Sequence, residues 1–253
     1  MSTLRVLTSN IQGGLSATGE RTDAAQLAHA YADVGADVVA LQEVDRDQSR
    51  SNHLDQLQVI AGALGLAHAR YGAALGGDVR VARQAPSSVG AHHGPAYGVG
   101  LASRYPIIAW FAQPLPRVTT RLPQWKAGRV GLGVHEPRVA VAAVIDAPGG
   151  PVAVASTHLS LIVPVATLQL RTVLRKVLAL GHPAVVAGDF NLGYSTVART
   201  AAGWQAPRAL TFPADHPIRQ IDHVLVRGAR AGQARALRLP IADHRALAVE
   251  VSR

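Results

Sequence analysis

A mixed α/β (α+β) arrangement, with sheets inside and helices outside, is the fold class this sequence predicts. Three observations predict it. Runs of small and β-branched apolar residues recur from Leu4 to Val251, too short for helices and without polar alternation, as in strands buried on both faces. In the first part such runs alternate with helical patterns, and in the middle and at the end they follow one another as hairpins. No linker-like shift in composition and no low-complexity tract divides the chain, so residues 1–253 are expected to form one domain.

Each element follows from its local pattern. Leu4–Ile11 opens as a strand, and Gln12–Arg21 is a polar loop. Thr22 caps a helix carrying Leu27, Tyr31 and Val34 at i, i+4 and i+7, with Gly35 as its stop. Asp37–Leu41 is a buried strand ending at Gln42-Glu43, and Ser51 or Asn52 caps a second helix with Leu54, Leu57, Ala61 and Leu64 on one side. Gly72–Ala96, without periodicity, reads as a long loop. Strands are expected at Tyr97–Ala102, Ile107–Phe111, Val139–Asp146 and Val152–Thr157, the last two joined by the turn Ala147-Pro148-Gly149-Gly150. Alternation in Trp110-Phe111 puts at least one ring in the core. Pro114–Gly133 reads as a basic loop holding Trp125. A helix with Pro164 in its first turn and an apolar stripe through Leu170, Val173, Leu174, Val177 and Leu178 ends at Gly181 and Pro183. Ala184–Ala187, a short helix around Thr196–Ala202, and strands at Ile221–Val226, Ala234–Leu239 and Leu247–Val251 complete the series.

Composition narrows the function. The chain has no cysteine, which excludes disulfides and thiolate metal sites. No apolar run approaches the roughly 20 residues that span a bilayer, and no signal-peptide pattern opens the chain, so a cytoplasmic protein is expected. A net charge of +9 favours a polyanionic partner, nucleic acid or an anionic membrane surface. The charge is uneven: no acid occurs between Asp78 and Glu136, where Arg80, Arg83, Arg104, Arg117, Arg121, Lys126 and Arg129 fall. A solvated basic face and a phosphate-tracking one both fit that pattern.

Polar residues recur where the strands end, the places at which folds of this kind build sites. Gly188-Asp189-Phe190-Asn191 closes the strand Ala184–Ala187 and presents a carboxylate and a carboxamide two residues apart, a pair suited to a hard cation and its phosphate oxygens. An Asx turn is the plainer reading of the same four residues in isolation. Asn10, Glu43 and His158 also end strands, and Asp222-His223 and Asp243-His244 flank the last ones. Taken singly each suits a turn, a cap or an ion pair. Together they make those plainer readings weak. Oxygen donors without thiolate favour Mg²⁺ or Mn²⁺ over Zn²⁺, and a histidine paired with a carboxylate can exchange protons near neutrality.

The ordered blocks Thr8-Ser9-Asn10, Leu41-Gln42-Glu43-Val44-Asp45, Gly100-Leu101-Ala102-Ser103-Arg104-Tyr105-Pro106, Ser156-Thr157-His158-Leu159, Gly188-Asp189-Phe190-Asn191, Ile221-Asp222-His223-Val224-Leu225 and Ala242-Asp243-His244-Arg245 resemble the endonuclease/exonuclease/phosphatase superfamily of DNase I-like phosphoesterases. The resemblance implies a four-layer α/β-sandwich, two packed mixed β-sheets flanked by helices. It implies Glu43 as principal Mg²⁺ (or Mn²⁺) ligand with Asn10 and Asp243 nearby. Asp189 and Asn191 would orient water and phosphate, His244 with Asp222 would form the catalytic His–carboxylate pair, and His158 would contact the scissile phosphate or protonate the leaving oxygen. Asn191, Arg138 and Arg104 would bind substrate. Departures are also plain. Abasic-site endonucleases carry Lys where Asp45 stands and an aromatic residue shortly before the Asp222 position, where Pro217, Ile218, Arg219 and Gln220 stand, with Phe212 further back. The acidic residue that supports a catalytic histidine in DNase I-like enzymes near Tyr97 is missing, with Asp78 the nearest acid.

The expected activity is divalent-metal-dependent phosphodiester hydrolysis, with nucleic acid, DNA or RNA, as first substrate class. Small phosphoesters or phospholipid head groups are the second, and a non-catalytic nucleic-acid-binding module the third. No protein partner is indicated.

Overall fold

In this computed structural model, residues 2–16, 18–81, 94–118 and 135–253 are described in full, and 122–126 and 129–133 by their backbone. The elements are β1 (Thr3–Asn10), α1 (Ala24–His29), β2 (Val38–Arg46), a 3₁₀ turn (Ser49–Ser51), α2 (Gln56–Ala63), β3 (His68–Gly76), β4 (Ala96–Ser103) and β5 (Ile107–Pro114). Then come β6 (Leu122–Lys126), β7 (Arg129–Gly133), β8 (Val139–Ala147), β9 (Gly150–His158), α3 (Val163–Leu178), β10 (Ala184–Asp189), α4 (Tyr194–Thr200), β11 (Asp222–Arg227), β12 (Arg230–Leu237) and β13 (Ala246–Ser252).

One sheet runs β12-β13-β1-β2-β4-β3, and the other β11-β10-β9-β8-β5. Each is mixed: β1 pairs parallel with β2, β9 pairs parallel with β10, and the remaining pairs are antiparallel. The inner faces meet through Val6, Val38, Ala40, Leu101, Val141, Val154, Val185, Val224 and Val249, all buried. Outside the first sheet, α1 and α2 cover Leu7, Val39 and Leu41, and outside the second, α3 and α4 cover Ala155, Val186 and Leu225. The result is the expected helix–sheet–sheet–helix stack. Burying each valine of the inner layer is worth about 1.5–3 kcal/mol, so the sandwich can hold buried polar groups at its rim without unfolding.

Several local expectations change. Helix α1 starts at Asp23, whose carboxylate accepts from the Gln26 amide while Gln26 reaches back, a capping box that Thr22 cannot complete; the Thr22 hydroxyl donates to the Gly14 carbonyl instead. Asp55, not Ser51 or Asn52, caps α2. Part of the expected loop Gly72–Ala96 belongs to β3, and residues 82–93 lie outside the described residues. Small residues there mark close packing rather than looseness: a Cβ on Gly98 would lie 2.0 Å from the Gly72 carbonyl oxygen. The expected loop Pro114–Gly133 contains the hairpin β6–β7, while the Trp125 side chain lies outside the described residues. Phe111 packs toward α3, and Trp110 is 39% exposed beneath the Arg70 guanidinium. Among the described residues no helix is long and apolar enough to cross a membrane.

Candidate active site

Strand alternation continues past the apolar layer and turns polar at one end of both sheets. In β10, Val185 and Ala187 face the inner layer, so Asp189 does too; in β9, Val152 and Val154 place His158 there; in β11, Val224 and Val226 place Asp222 there. The register aligns Asp189 with His158 on one side and with Asp222 on the other. In the facing sheet, Leu4 and Val6 direct Asn10 inward by the same rule. Its amide bridges the sheets, donating to Asp189 Oδ2 and to Glu43 Oε1, each at 3.1 Å.

Glu43 reaches this row through a bulge. Leu41 and Val44 both face the outer helices although three positions apart, and the β2–β4 register shifts between them. Glu43 takes up the extra residue at φ 55°. A non-glycine residue held there costs of order 1–3 kcal/mol, strain of the kind that bulges store beside sites. Gly188 answers a different demand: a Cβ would lie 1.9 Å from the Thr157 carbonyl oxygen, so the strand carrying Asp189 can approach β9 only with glycine there.

The remaining groups arrive on loops. His244 Nδ1 lies 2.9 Å from Asp222 Oδ2, with Nε2 at 3.9 Å from both Asp189 Oδ2 and Asp243 Oδ1. Asn191, at φ 52°, closes an Asx turn by donating its amide N–H to Asp189 Oδ1 (2.9 Å), and its side chain sits 3.2 Å from His158 Nε2. Arg138 Nη1 lies 3.1 Å from His158 Nδ1. A guanidinium only donates, so Nδ1 accepts from Arg138, while Nε2 faces Asn191 Nδ2 at 3.2 Å and Asp189 Oδ2 at 3.5 Å.

Burial and neighbours separate the ionisation of these groups. Burial, and then the charge of Asp222, raise the Asp189 carboxyl to about 7. Burial works against the imidazolium of His244, but its hydrogen bond to Asp222 and the charges of Asp222, Asp189 and Asp243 outweigh it and lift the group to about 9. Burial, with the cations Arg138 and His244, pushes His158 well below its ordinary value. One histidine is thus held charged and the other neutral on either side of one carboxylate, an arrangement that can bind, and pass protons to, a reacting oxyanion.

Asn10, Glu43, His158, Asp189, Asn191, Asp222, Asp243, His244 and Arg138 therefore form one connected group. Arg104 does not join them. Ser103 pairs with Val38 at the other end of the sheet from Glu43, and the Arg104 guanidinium is spent on Asp37 and the Ala36 carbonyl. Asp78 accepts backbone N–H groups of Ser49 and Arg80 rather than supporting a histidine. Sequence reasoning passed over Thr211 and gave Phe212 no role beyond that of the aromatic residue further back. Phe212 packs its ring 4.9 Å from His244, and the Thr211 hydroxyl accepts from the Asp222 amide.

A model of the endonuclease/exonuclease/phosphatase family matches residues 7–245. The chain belongs to that family. A search of curated proteins by sequence finds no match. Among solved structures, an endonuclease/exonuclease/phosphatase from Beutenbergia cavernae superposes at a TM-score of 0.73 with 24% identity, covering 100% of this chain and 72% of that one. A humanized D. rerio TDP2 gives 0.65 at 16% identity, and sphingomyelinase C from Streptomyces griseocarneus 0.62 at 15%, each covering 100% of both chains. These likenesses establish the DNase I-like fold.

Within this endonuclease/exonuclease/phosphatase chain two departures acquire a physical account. Asp45, standing where abasic-site endonucleases have Lys, is buried and held by Arg50 at 2.6 and 2.8 Å. It is a packed ion pair on the inner face of the sheet, opposite Tyr97, over whose ring Arg50 lies, and losing one partner of such a pair costs about 3–5 kcal/mol. His223, beside Asp222, faces the outer layer, where it meets the Leu192 carbonyl at 2.9 Å and stacks on Phe190. Burial pushes it down to about 4. In the unfolded chain its value is about 6.5, so below that pH the unfolded state takes up the proton first. Its contribution to stability should be fully present above about pH 6.5 and fall by roughly 3 kcal/mol as pH drops toward 4. Urea midpoints from pH 4 to 7 check this. His223→Gln should flatten the slope in that window, and an unchanged slope would contradict the assignment.

Proposed function

We propose that this chain hydrolyses phosphodiester bonds of nucleic acid, DNA or RNA, with help from Mg²⁺ or Mn²⁺. The observation that carries the reading is the continuous row Glu43–Asn10–Asp189–His244–Asp222, in which two carboxylates share one amide and one histidine is locked by a third. The donor set fits a hard cation. Among the described residues Glu43 accepts a single side-chain hydrogen bond, from Asn10, and Asp243 is half-exposed beside His244, while no thiolate is available. Asp189, Asp222 and His244 also offer ligand atoms within 4.8 Å of one another. Those atoms are engaged with each other and with Asn10, which suits proton handling better than cation binding. We therefore assign the cation to Glu43, with Asn10 Oδ1 and Asp243 near it. When bound, such an ion stabilises charge on phosphoryl oxygens by several kcal/mol.

The chain's own residues supply the rest. The imidazolium of His244, fixed through Nδ1 by Asp222, points Nε2 at the reacting phosphate and gives a charge-assisted hydrogen bond. Neutral His158 donates from Nε2 to a second oxygen and is kept in that tautomer by Arg138. Asp189, poised near neutrality, takes the proton of the attacking water as the water oxygen bonds to phosphorus. The P–O bond to the leaving group breaks, His244 gives its Nε2 proton to the leaving oxygen, and Asn191 holds water and phosphate in line. The net charge of +9 supports a polyanionic substrate.

The test is hydrolysis of plasmid DNA, RNA, sphingomyelin and bis-p-nitrophenyl phosphate with Mg²⁺, Mn²⁺ or EDTA. Metal-dependent cleavage of DNA or RNA together with the synthetic diester is expected. Turnover of none would sink the enzyme reading, and cleavage of sphingomyelin alone would replace the substrate class.

A further inference from the structure

Beside the catalytic row, on the Asp222 side, lies a pocket of about 440 Å³ lined by Gly193, Tyr194, Arg208, Leu210, Ile218 and Arg219, with Gln220 at its base. It shares its walls with the site. Gly193 follows Asn191 by two residues, and Gln220 precedes Asp222 by two and donates to its carbonyl. The Arg219 guanidinium lies over Phe212, whose other neighbour is the His244 ring. The volume is that of a small-molecule site.

Its chemistry is specific. Leu210 is 49% exposed and Ile218 75%, so two large apolar side chains are held in water at the pocket mouth. The Arg208 guanidinium carbon lies over Tyr194, 4.3 Å from the ring centroid, and that of Arg219 over Phe212 at 5.5 Å. A guanidinium held over an aromatic face keeps its N–H donors available to an anion. Neither guanidinium pairs with a carboxylate among the described residues, whereas Arg5, Arg50, Arg104, Arg138 and Arg238 each do. No acid lines the pocket.

We propose that this pocket binds the nucleotide unit next to the scissile phosphate, the base against Tyr194, Leu210 and Ile218 and its phosphate on the edges of Arg208 and Arg219. The proposal rests on the phosphodiesterase reading and names the substrate class of the same site. A choline or ethanolamine head group carries a cation that two unpaired guanidiniums repel, with no carboxylate to receive it. A polyol ring needs a dense set of polar partners, and the walls here are chiefly apolar. A flat ring with an anion attached satisfies both halves. The other large cavity, about 770 Å³ between α1 and the β12–β13 edge, has acids and bases mixed along its wall and offers no comparable selection.

Binding and turnover separate this proposal from the catalytic one. Calorimetric titration in EDTA with adenosine monophosphate, phosphocholine and inorganic phosphate tests the pocket without catalysis. Adenosine monophosphate should bind at least tenfold tighter than either comparison ligand. Arg208→Gln, and separately Ile218→Glu, should each weaken it at least tenfold. Both positions are on the surface, so folding should survive, which circular dichroism checks. With a dinucleotide substrate and metal, the same variants should raise KM about tenfold and leave kcat within about twofold. Phosphocholine binding as tightly as the nucleotide, or nucleotide affinity unchanged in both variants, would overturn the subsite whatever the enzyme does. A wild type that binds the nucleotide yet cleaves no diester would instead overturn the catalytic reading and leave the pocket standing.

Discussion

His244→Ala is expected to lower kcat on bis-p-nitrophenyl phosphate by about 10³-fold, the magnitude typical of losing a positioned proton-transfer group. No neighbour can replace it. His158 is held neutral, with Nδ1 tied to Arg138, and Asp189 is already committed to Asn10 and the Asn191 amide. The same substitution leaves the fully buried Asp222 carboxylate without its imidazole, at a cost of about 3 kcal/mol. The thermal midpoint should therefore fall along with activity. Adding Asp222→Asn removes the stranded charge, so the double variant should recover most of the midpoint and none of the turnover. Retention of a tenth of wild-type kcat in the single variant, or of activity in the stable double variant, would contradict the role given to His244.

Glu43→Gln should act through the cation. The side chain keeps its shape, and Asn10 can still donate to the remaining amide oxygen, so the midpoint should stay within about 0.5 kcal/mol of wild type. Removing the formal charge should cost about 10³-fold in activity at low metal, with the Mn²⁺ concentration for half-maximal rate rising at least tenfold. Titrating activity against Mn²⁺ checks both, and an unchanged half-saturating concentration would move the ion to other residues. Glu43 carries backbone strain at φ 55°, and Asn191 in the same row sits at φ 52°.

Much of this was legible from residues alone. Buried strands stood out as apolar runs, since residues covered on both faces leave no polar alternation, and Ala184–Asp189 and Val139–Ala147 were read nearly to their ends. Strand β3 was not, because Gly72, Ala73 and Ala74 carry the composition of a loop while serving tight backbone packing against β4 and β8. Helix caps were misplaced by one to four residues, since Thr22, Ser51 and Asn52 compete with Asp23 and Asp55 and only the reciprocal hydrogen bonds choose between them. Arg138 and Arg104 looked alike as basic residues beside strands. The antiparallel register sends Arg104 to the opposite end of the sheet and leaves Arg138 at the start of β8, beside His158.

Gly188-Asp189-Phe190-Asn191 marks the division. By itself the sequence determined that a carboxylate and an amide follow a buried strand, that oxygen and imidazole are the only strong metal donors available, and that the polar residues cluster at strand ends. These are consequences of local periodicity and composition. Tertiary structure decided that Asp189 meets Asn10, Asp222, His158 and His244, because side-chain alternation in two separate sheets continues inward at the same end. It also decided that Glu43 turns to join them through a bulge, and that Arg208 and Arg219 lie over aromatic rings with no carboxylate partner among the described residues. Those facts depend on register and on the approach of two sheets, which no window of neighbouring residues contains.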